Sequence, residues 1–191
     1  MSNRAFEVLL EVSRALEDDF IDEDHSEVSI GAGEHAHEVP NRTITVRGRR
    51  EGQAILIFFQ DYHEESFSAV SFKSFERDIL EIFVAQPRVA FEGRCRHRAL
   101  WDRLASLVGR GGLSGAHALY ERHRVDGEGP PLEGRFADAL VDLMGLGLVR
   151  RIVLQAASGL TLVLHWRGET DANHLLGVID RVRAAASTLE G

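Results

Sequence analysis

Ala54-Ile55-Leu56-Ile57-Phe58-Phe59 is the stretch on which the fold turns: six apolar residues in succession, directly after the turn residues Arg49-Arg50-Glu51-Gly52. A short run of β-branched and aromatic residues reads as a strand. Because the run is apolar at consecutive positions, it reads as a central strand covered on both faces. Working outward, Ile44 and Val46 alternate with Thr43, Thr45 and Arg47, and Val28, Ile30 and Ala32 alternate in the same way, which predicts two half-buried strands upstream. Ser66 to Phe72 predicts a fourth strand. Ser74 then reads as the cap of a helix with Glu76 and Asp78 in its first turn, carrying Ile79, Leu80, Ile82 and Phe83 and stopped by Pro87.

At the N-terminal end, Phe6, Leu9, Leu10, Ser13, Leu16 and Phe20 recur at helical spacing and predict an amphipathic helix over 3–18. The second half reads as helical first. A short strand at Arg88 to Phe91 precedes a helix bearing Leu100, Trp101, Leu104, Leu107 and Val108, with Gly109 as its C-cap. A short helix from Ser114 through Arg124, a loop over 126–131 and a helix over 132–144 follow. Leu148 to Ala156 and Leu160 to Arg167 form a hairpin across Ser158-Gly159. Thr170 or Asp171 caps a closing helix whose stripe is Leu175, Ile179, Val182, Ala186 and Leu189.

Strands grouped rather than alternating one by one with helices argue for α+β: a mixed, mainly antiparallel sheet flanked by N- and C-terminal amphipathic helices, with a helical Arg-rich middle. The expected organisation is a single domain over 1–191 with a helical insertion at about 88–146; the alternative is two lobes, 1–87 and 88–191. The element order resembles that of small acidic secretion chaperones in topology alone, with no motif beneath it, and topology does not transfer function.

The 191 residues are 44% hydrophobic and 27% charged, the composition of an ordinary globular chain. Cys95 is the one cysteine, so no intrachain disulfide forms and a reducing compartment is expected. Glu7 and Glu11 interrupt any signal-like start, and Ile152 to Leu164 falls short of the ~20 residues of a membrane span. These features predict a soluble, cytoplasmic protein. The net charge of −8 argues against general affinity for nucleic acid. It is unevenly spread: −10 over 1–87 (eight basic residues against eighteen acidic), +5 over 88–124 (eight against three) and −3 over 125–191 (six against nine).

Three constellations carry possible chemistry. Glu17, Asp18, Asp19, Asp22, Glu23, Asp24 and Glu27 place seven carboxylates just where the first helix should end, opposing its dipole unless a cationic partner relieves them. The second is Glu34-His35-Ala36-His37-Glu38, in which two imidazoles at i and i+2 of an extended segment project to one side and can chelate a divalent metal. His63 or Asp61 would be a third ligand and Glu38 or Glu64 the general base of a hydrolase, although no HExxH pattern is present. The third is the arginine series Arg88, Arg94, Arg96, Arg98, Arg103, Arg110, Arg122 and Arg124, able to form an anion or nucleic-acid face unless neutralised within the chain.

Other motifs stop short. Gly109 to Gly115 lacks the GK[ST] ending and follows a helical pattern, Ser114 misses the GxSxG frame, and Cys95 has arginine neighbours that favour a thiolate but no partner spaced to use it. His165 and His174 read as boundary residues.

The reading is a non-enzymatic regulatory or adaptor protein whose partner is another protein. It would bind through Asp18, Asp19, Asp22, Glu23 and Asp24 or through Ile179 and Val182 of the closing helix, the latter also giving a homodimer over 171–189. No cofactor is expected. The alternatives are a metal-dependent hydrolase built on His35, His37, His63 and Asp61, and anion binding by Arg94, Arg96 and Arg98.

Overall fold

The computed structural model describes residues 2–30, 37–68, 71–99, 102, 112–166 and 170–189. In chain order the elements are α1 (Ser2–Arg14), β1 (Glu17–Ile30), β2 (His37–Arg50), β3 (Gln53–Ser68), β4 (Ser71–Ala85), β5 (Glu92–His97), α2 (Ala118–Arg122), β6 (His123–Glu128), α3 (Gly134–Met144), β7 (Val149–Gln155), β8 (Gly159–His165) and α4 (Ala172–Ser187). All eight strands join one antiparallel sheet in the order β1-β2-β3-β4-β8-β7-β5-β6. The chain is α+β, and the sheet runs without a break through strands from both sides of Pro87.

One face of this sheet is the core. Ile44 and Val46 of β2, Ile57 and Phe59 of β3, Leu80 and Ile82 of β4, Leu160 and Leu162 of β8, Ile152 and Leu154 of β7, Cys95 of β5 and Val125 of β6 are all essentially inaccessible. Leu9 and Val12 of α1, Leu140 of α3 and Ile179 and Val182 of α4 belong to the same apolar cluster, so the helices lie on this face. Arg50 at the end of β2 fastens α4 through a two-toothed pair with Asp180, 2.6 and 2.8 Å.

Several expectations are corrected. The first helix ends at Arg14 rather than near 18, and the acidic segment after it is a strand that pairs with β2 along its length. No helix forms over 74–86: β4 pairs with β3 from Ser71 to Val84 and with β8 from Ile79 to Ala85. Leu80, Ile82 and Val84 alternate inward with period two, and two neighbouring strands satisfy more backbone than the local Ser74 cap could.

The strand expected at Arg88 to Phe91 begins instead at Glu92, and Arg124 belongs to β6 rather than to a helix running from Ser114. The cap of α2 is His117, whose Nδ1 accepts from the Leu119 N–H at 3.1 Å. Strands therefore occupy 92–97 and 123–128 of the segment expected to be helical, while the helix expected over Leu100 to Val108 lies outside the described residues apart from Asp102. The sheet is antiparallel throughout, not mixed. The expectations over 132–144, for the 148–156 and 160–167 hairpin and for the closing helix, capped by Asp171, agree with α3, β7, β8 and α4. Among the described residues no helix is long and apolar enough to cross a membrane.

The β5–β6 pair depends on two facing glycines. Gly93 lies opposite Gly127, and a Cβ on Gly93 would sit 2.2 Å from the Asp126 carbonyl oxygen and 2.7 Å from the Phe91 ring. The Phe91 side chain, 1% exposed, covers the space that the two missing side chains leave.

Candidate functional site

β1 stands at one end of the sheet order and β6 at the other. The two edges differ. The outer side of β6 is engaged by the chain itself, since the Leu113 N–H donates to the Val125 carbonyl at 2.7 Å. Along β1, fourteen residues long, every second residue turns its N–H and C=O away from β2, and among the described residues no backbone group meets them.

The sequence-predicted acidic residues all map to this edge. Asp18 has φ 52° and sits in the irregularity between Glu17 and Phe20, and Asp19 accepts from the Ser13 Oγ at 2.7 Å. Glu23 is half-buried and held by Arg42, whose guanidinium keeps its carboxyl below the usual range. Glu17, Asp18, Asp19, Asp22, Asp24 and Glu27 are exposed, and among the described residues Asp22 and Asp24 have no ion pair. The acidic run is thus a charged sheet edge, and the helix-dipole conflict read from the sequence does not arise.

Among the described residues, Arg94, Arg96 and Arg124 of the central series meet carboxylates. Asp102 accepts two bonds from Arg96, both 2.7 Å, one from Arg124 at 2.7 Å and one from the Ala99 N–H at 2.8 Å. Arg124 also donates from Nε to Asp126 at 2.8 Å, and Arg94 lies 3.7 Å from the same carboxylate. Arg98 faces inward, bonded to the carbonyls of His123 and Tyr120. Of the three taken from sequence as an anion face, Arg94 and Arg96 therefore meet Asp126 and Asp102, and Arg98 is spent on backbone carbonyls. Asp102 was not singled out in the sequence; its signal is being one of three carboxylates among the eight arginines of 88–124.

The hydrogen bonds from Arg96 and Ala99 hold the Asp102 carboxyl well below its ordinary value of 3.8. A carboxyl depressed in the folded state stabilises the fold fully above its unfolded value and loses that contribution as the pH falls through the folded one. Asp102→Asn is accordingly expected to lower the urea midpoint at pH 7, with a gap from wild type that narrows steadily below about pH 4. A gap constant from pH 7 to pH 2.5 would contradict this assignment.

The metal set lies only in part among the described residues. His35 lies outside the described residues, as do Glu34, Trp101, Arg103, Arg110, Gly109 and Gly111. His37 pairs with Ile30 and falls on the row of Thr43 and Thr45, whereas Asp61 pairs with Arg42 and falls with His63 on the opposite row, that of Phe59. The pairing also offsets His37 from Asp61 by five residues, roughly 17 Å along the strands. No group of three or more metal-ligating side chains occurs among the described residues.

His97 and His123 face each other across β5 and β6, ring centroids 5.3 Å apart. His123 is buried, its Nδ1 has no hydrogen-bond partner among the described residues, and burial pushes its pKa down. Cys95 is wholly inaccessible, and burial pushes its thiol up to about 12, against the pull toward a thiolate that its arginine neighbours exert. Ile179 and Val182 have no accessible surface; they lie inside the core rather than on a docking surface. An open groove of about 650 Å³ between α3 and α4 is lined by Ala139, Leu146, Ala184 and the guanidinium-bearing Arg122 and Arg181.

No family model, no curated protein and no solved structure matches this chain.

Proposed function

We propose that this protein is a non-enzymatic adaptor that captures an extended, basic segment of a protein partner along β1. The supporting observation is the fourteen-residue edge, free on its outer side among the described residues and bearing seven carboxylates over 17–27 with no lysine or arginine between them. A strand added to such an edge gains main-chain hydrogen bonds, and its alternate side chains meet the carboxylates. The same charges repel a second acidic edge, so they deter β1-to-β1 pairing while selecting a cationic strand. Exposed carboxylates confer specificity and encounter rate more than affinity, so binding should be strongly salt-dependent.

The test is a labelled peptide of alternating Lys and Val residues titrated into the protein by fluorescence anisotropy, with an N-methylated copy as control. Expected are a Kd that rises steeply between 50 and 300 mM salt (~ranges in which screening shortens to about 6 Å), a loss of about tenfold or more with the Asp22→Lys/Asp24→Lys variant, and failure of the N-methylated peptide. Equal binding of the two peptides would show that no strand pairing occurs and would remove this reading.

A further inference from the structure

Phe20 is 53% exposed, the largest apolar side chain that the described residues leave to solvent, and it stands on the free edge strand. The hairpin that follows fixes its phase against the main chain. Arg50 and Gln53 flank the two-residue turn Glu51-Gly52, in which both φ are positive, 49° and 78°. Such a turn closes on a pair that exchanges main-chain hydrogen bonds. Counting back from Arg50, the even-numbered residues of β2 bond toward β3 and the odd-numbered ones toward β1. Phe20, Asp22 and Asp24 pair with Arg47, Thr45 and Thr43 and so bond inward. Ile21, Glu23, His25 and Glu27 are the residues that turn N–H and C=O outward.

Side chains alternate in the same phase. Ile21 and Glu23 share rows with the buried Val46 and Ile44, so they lie on the helix-bearing face, while Phe20, Asp22 and Asp24 lie on the other face and are exposed. On the helix side the charge is already met: Glu23 pairs with Arg42 and lies 3.0 Å from His25. Asp22 and Asp24 have no ion pair among the described residues, and Arg47 stands opposite Phe20 on β2. A strand added to this edge therefore meets Phe20, Asp22 and Asp24 at non-hydrogen-bonded positions, where facing Cα atoms are about 4.5 Å apart and side chains approach most closely.

From this arrangement we infer that the partner segment has the pattern basic-x-basic-x-aromatic and lies antiparallel to β1, its two cations opposite Asp24 and Asp22 and its ring opposite Phe20. The inference rests on strand capture at this edge and adds to it a phase, a direction and an anchor. Antiparallel pairing is the stronger per residue and is the pairing of every neighbour in this sheet. A cation at the fifth position would share a row with Arg47, whereas an aromatic ring there covers the exposed surface of Phe20. The two intervening residues fall opposite Glu23 and Ile21. The first needs no charge, because Arg42 already meets Glu23, and the second extends the apolar row of Val46 and Ile57. A basic segment without the aromatic residue, or with its cations at successive positions, is a poorer fit.

Fluorescence anisotropy with the full chain and the labelled peptide Ser-Arg-Thr-Arg-Val-Tyr-Ser tests the inference, beside a copy with Ser for Tyr, a copy with Gln for both Arg, the reversed order Ser-Tyr-Val-Arg-Thr-Arg-Ser, and an N-methylated copy. Ser for Tyr should weaken binding to wild type about fivefold and to Phe20→Ala by less than about 1.5-fold, because the ring then has no partner. Asp22→Asn/Asp24→Asn should raise the Kd of the first peptide about fivefold and leave that of the Gln copy within about 1.5-fold. Reversal should weaken binding about fivefold or more. The changed side chains are exposed, so circular dichroism should stay native, and the peptide series on wild type decides the matter even if a variant fails to fold. No binding by the first peptide, or equal binding by its N-methylated copy, would remove strand capture and this inference with it. If the N-methylated copy fails while reversal costs nothing, or Phe20→Ala distinguishes the Tyr and Ser peptides as wild type does, capture at the edge stands and the pattern inferred for the partner is overturned.

Discussion

Ile179→Asp is expected to unfold the protein outright or to remove about 4 kcal/mol or more of stability. Ile179 has 0% of its surface accessible and belongs to the apolar cluster, on a helix that packs against α1, α3, β4 and β8. A carboxylate there has no cation within the cluster and would have to be buried charged, buried protonated, or released by detaching the helix, each at a cost of several kcal/mol. Even the milder Ile179→Ala, which adds no charge, should cost about 2–5 kcal/mol through lost burial and the cavity left behind. Arg181→Asp, on the exposed side of the same helix, serves as the control and should change stability by no more than about 0.5 kcal/mol. Urea denaturation followed by circular dichroism distinguishes this from a docking role: an Ile179→Asp variant that kept its native melt and lost only self-association would contradict the core assignment.

Gly127→Val is expected to cost about 3 kcal/mol or more, because two separate penalties act at one position. The backbone of Gly127 has φ 151°, which side-chain-bearing residues rarely adopt, and its Cβ would lie 2.2 Å from the Glu92 carbonyl oxygen and 2.8 Å from the Phe91 ring. Neither obstacle is the loose end of a flexible side chain, so the β5–β6 pair would have to separate. Gly147→Ala is the contrasting control, with nothing within 4 Å of the added Cβ, and should be nearly neutral. Loss of the strand pair should also loosen the Arg96–Asp102–Arg124 cluster, since Arg96 and Arg124 face each other in that pair.

What could be read from the residues, and what could not, follows from the range of the interactions. β2, β3 and the β7–β8 hairpin were legible because their alternation and turns are local, as were α3 and α4 with their three-four spacing and glycine or aspartate ends. β4 was misread because Ser74, Glu76 and Asp78 make a good local helix start, while the partners in β8 that help to make it a strand lie 74 to 86 positions away. β1 was misread for a related reason: carboxylates have poor strand propensity, and only the matching length of β2 holds them extended. At the candidate site, the acidic residues were named in advance, but their standing as an exposed edge depends on topology. The pairing of Arg96 and Arg124 through Asp102 brings together three chain segments, which no spacing rule encodes. β3 was read at the outset as a strand covered on both faces, and the helices among the described residues cover the face that carries Ile57 and Phe59.

The seam between β4 and β8 gives the fold a temporal order. Residues 79–85 meet residues 159–165 across it, whereas the pairings of β1 with β2, β2 with β3 and β3 with β4 all join neighbours in sequence. As the chain leaves the ribosome the four-stranded meander can form at once, but for some eighty further residues its β4 side ends in unpaired backbone beside Leu80, Ile82 and Val84. Over 79–85 that transient edge carries a single carboxylate, Glu81, against the seven of 17–27 in β1, so it is the point at which a nascent chain is most exposed to pairing with a neighbour until β8 arrives and closes it.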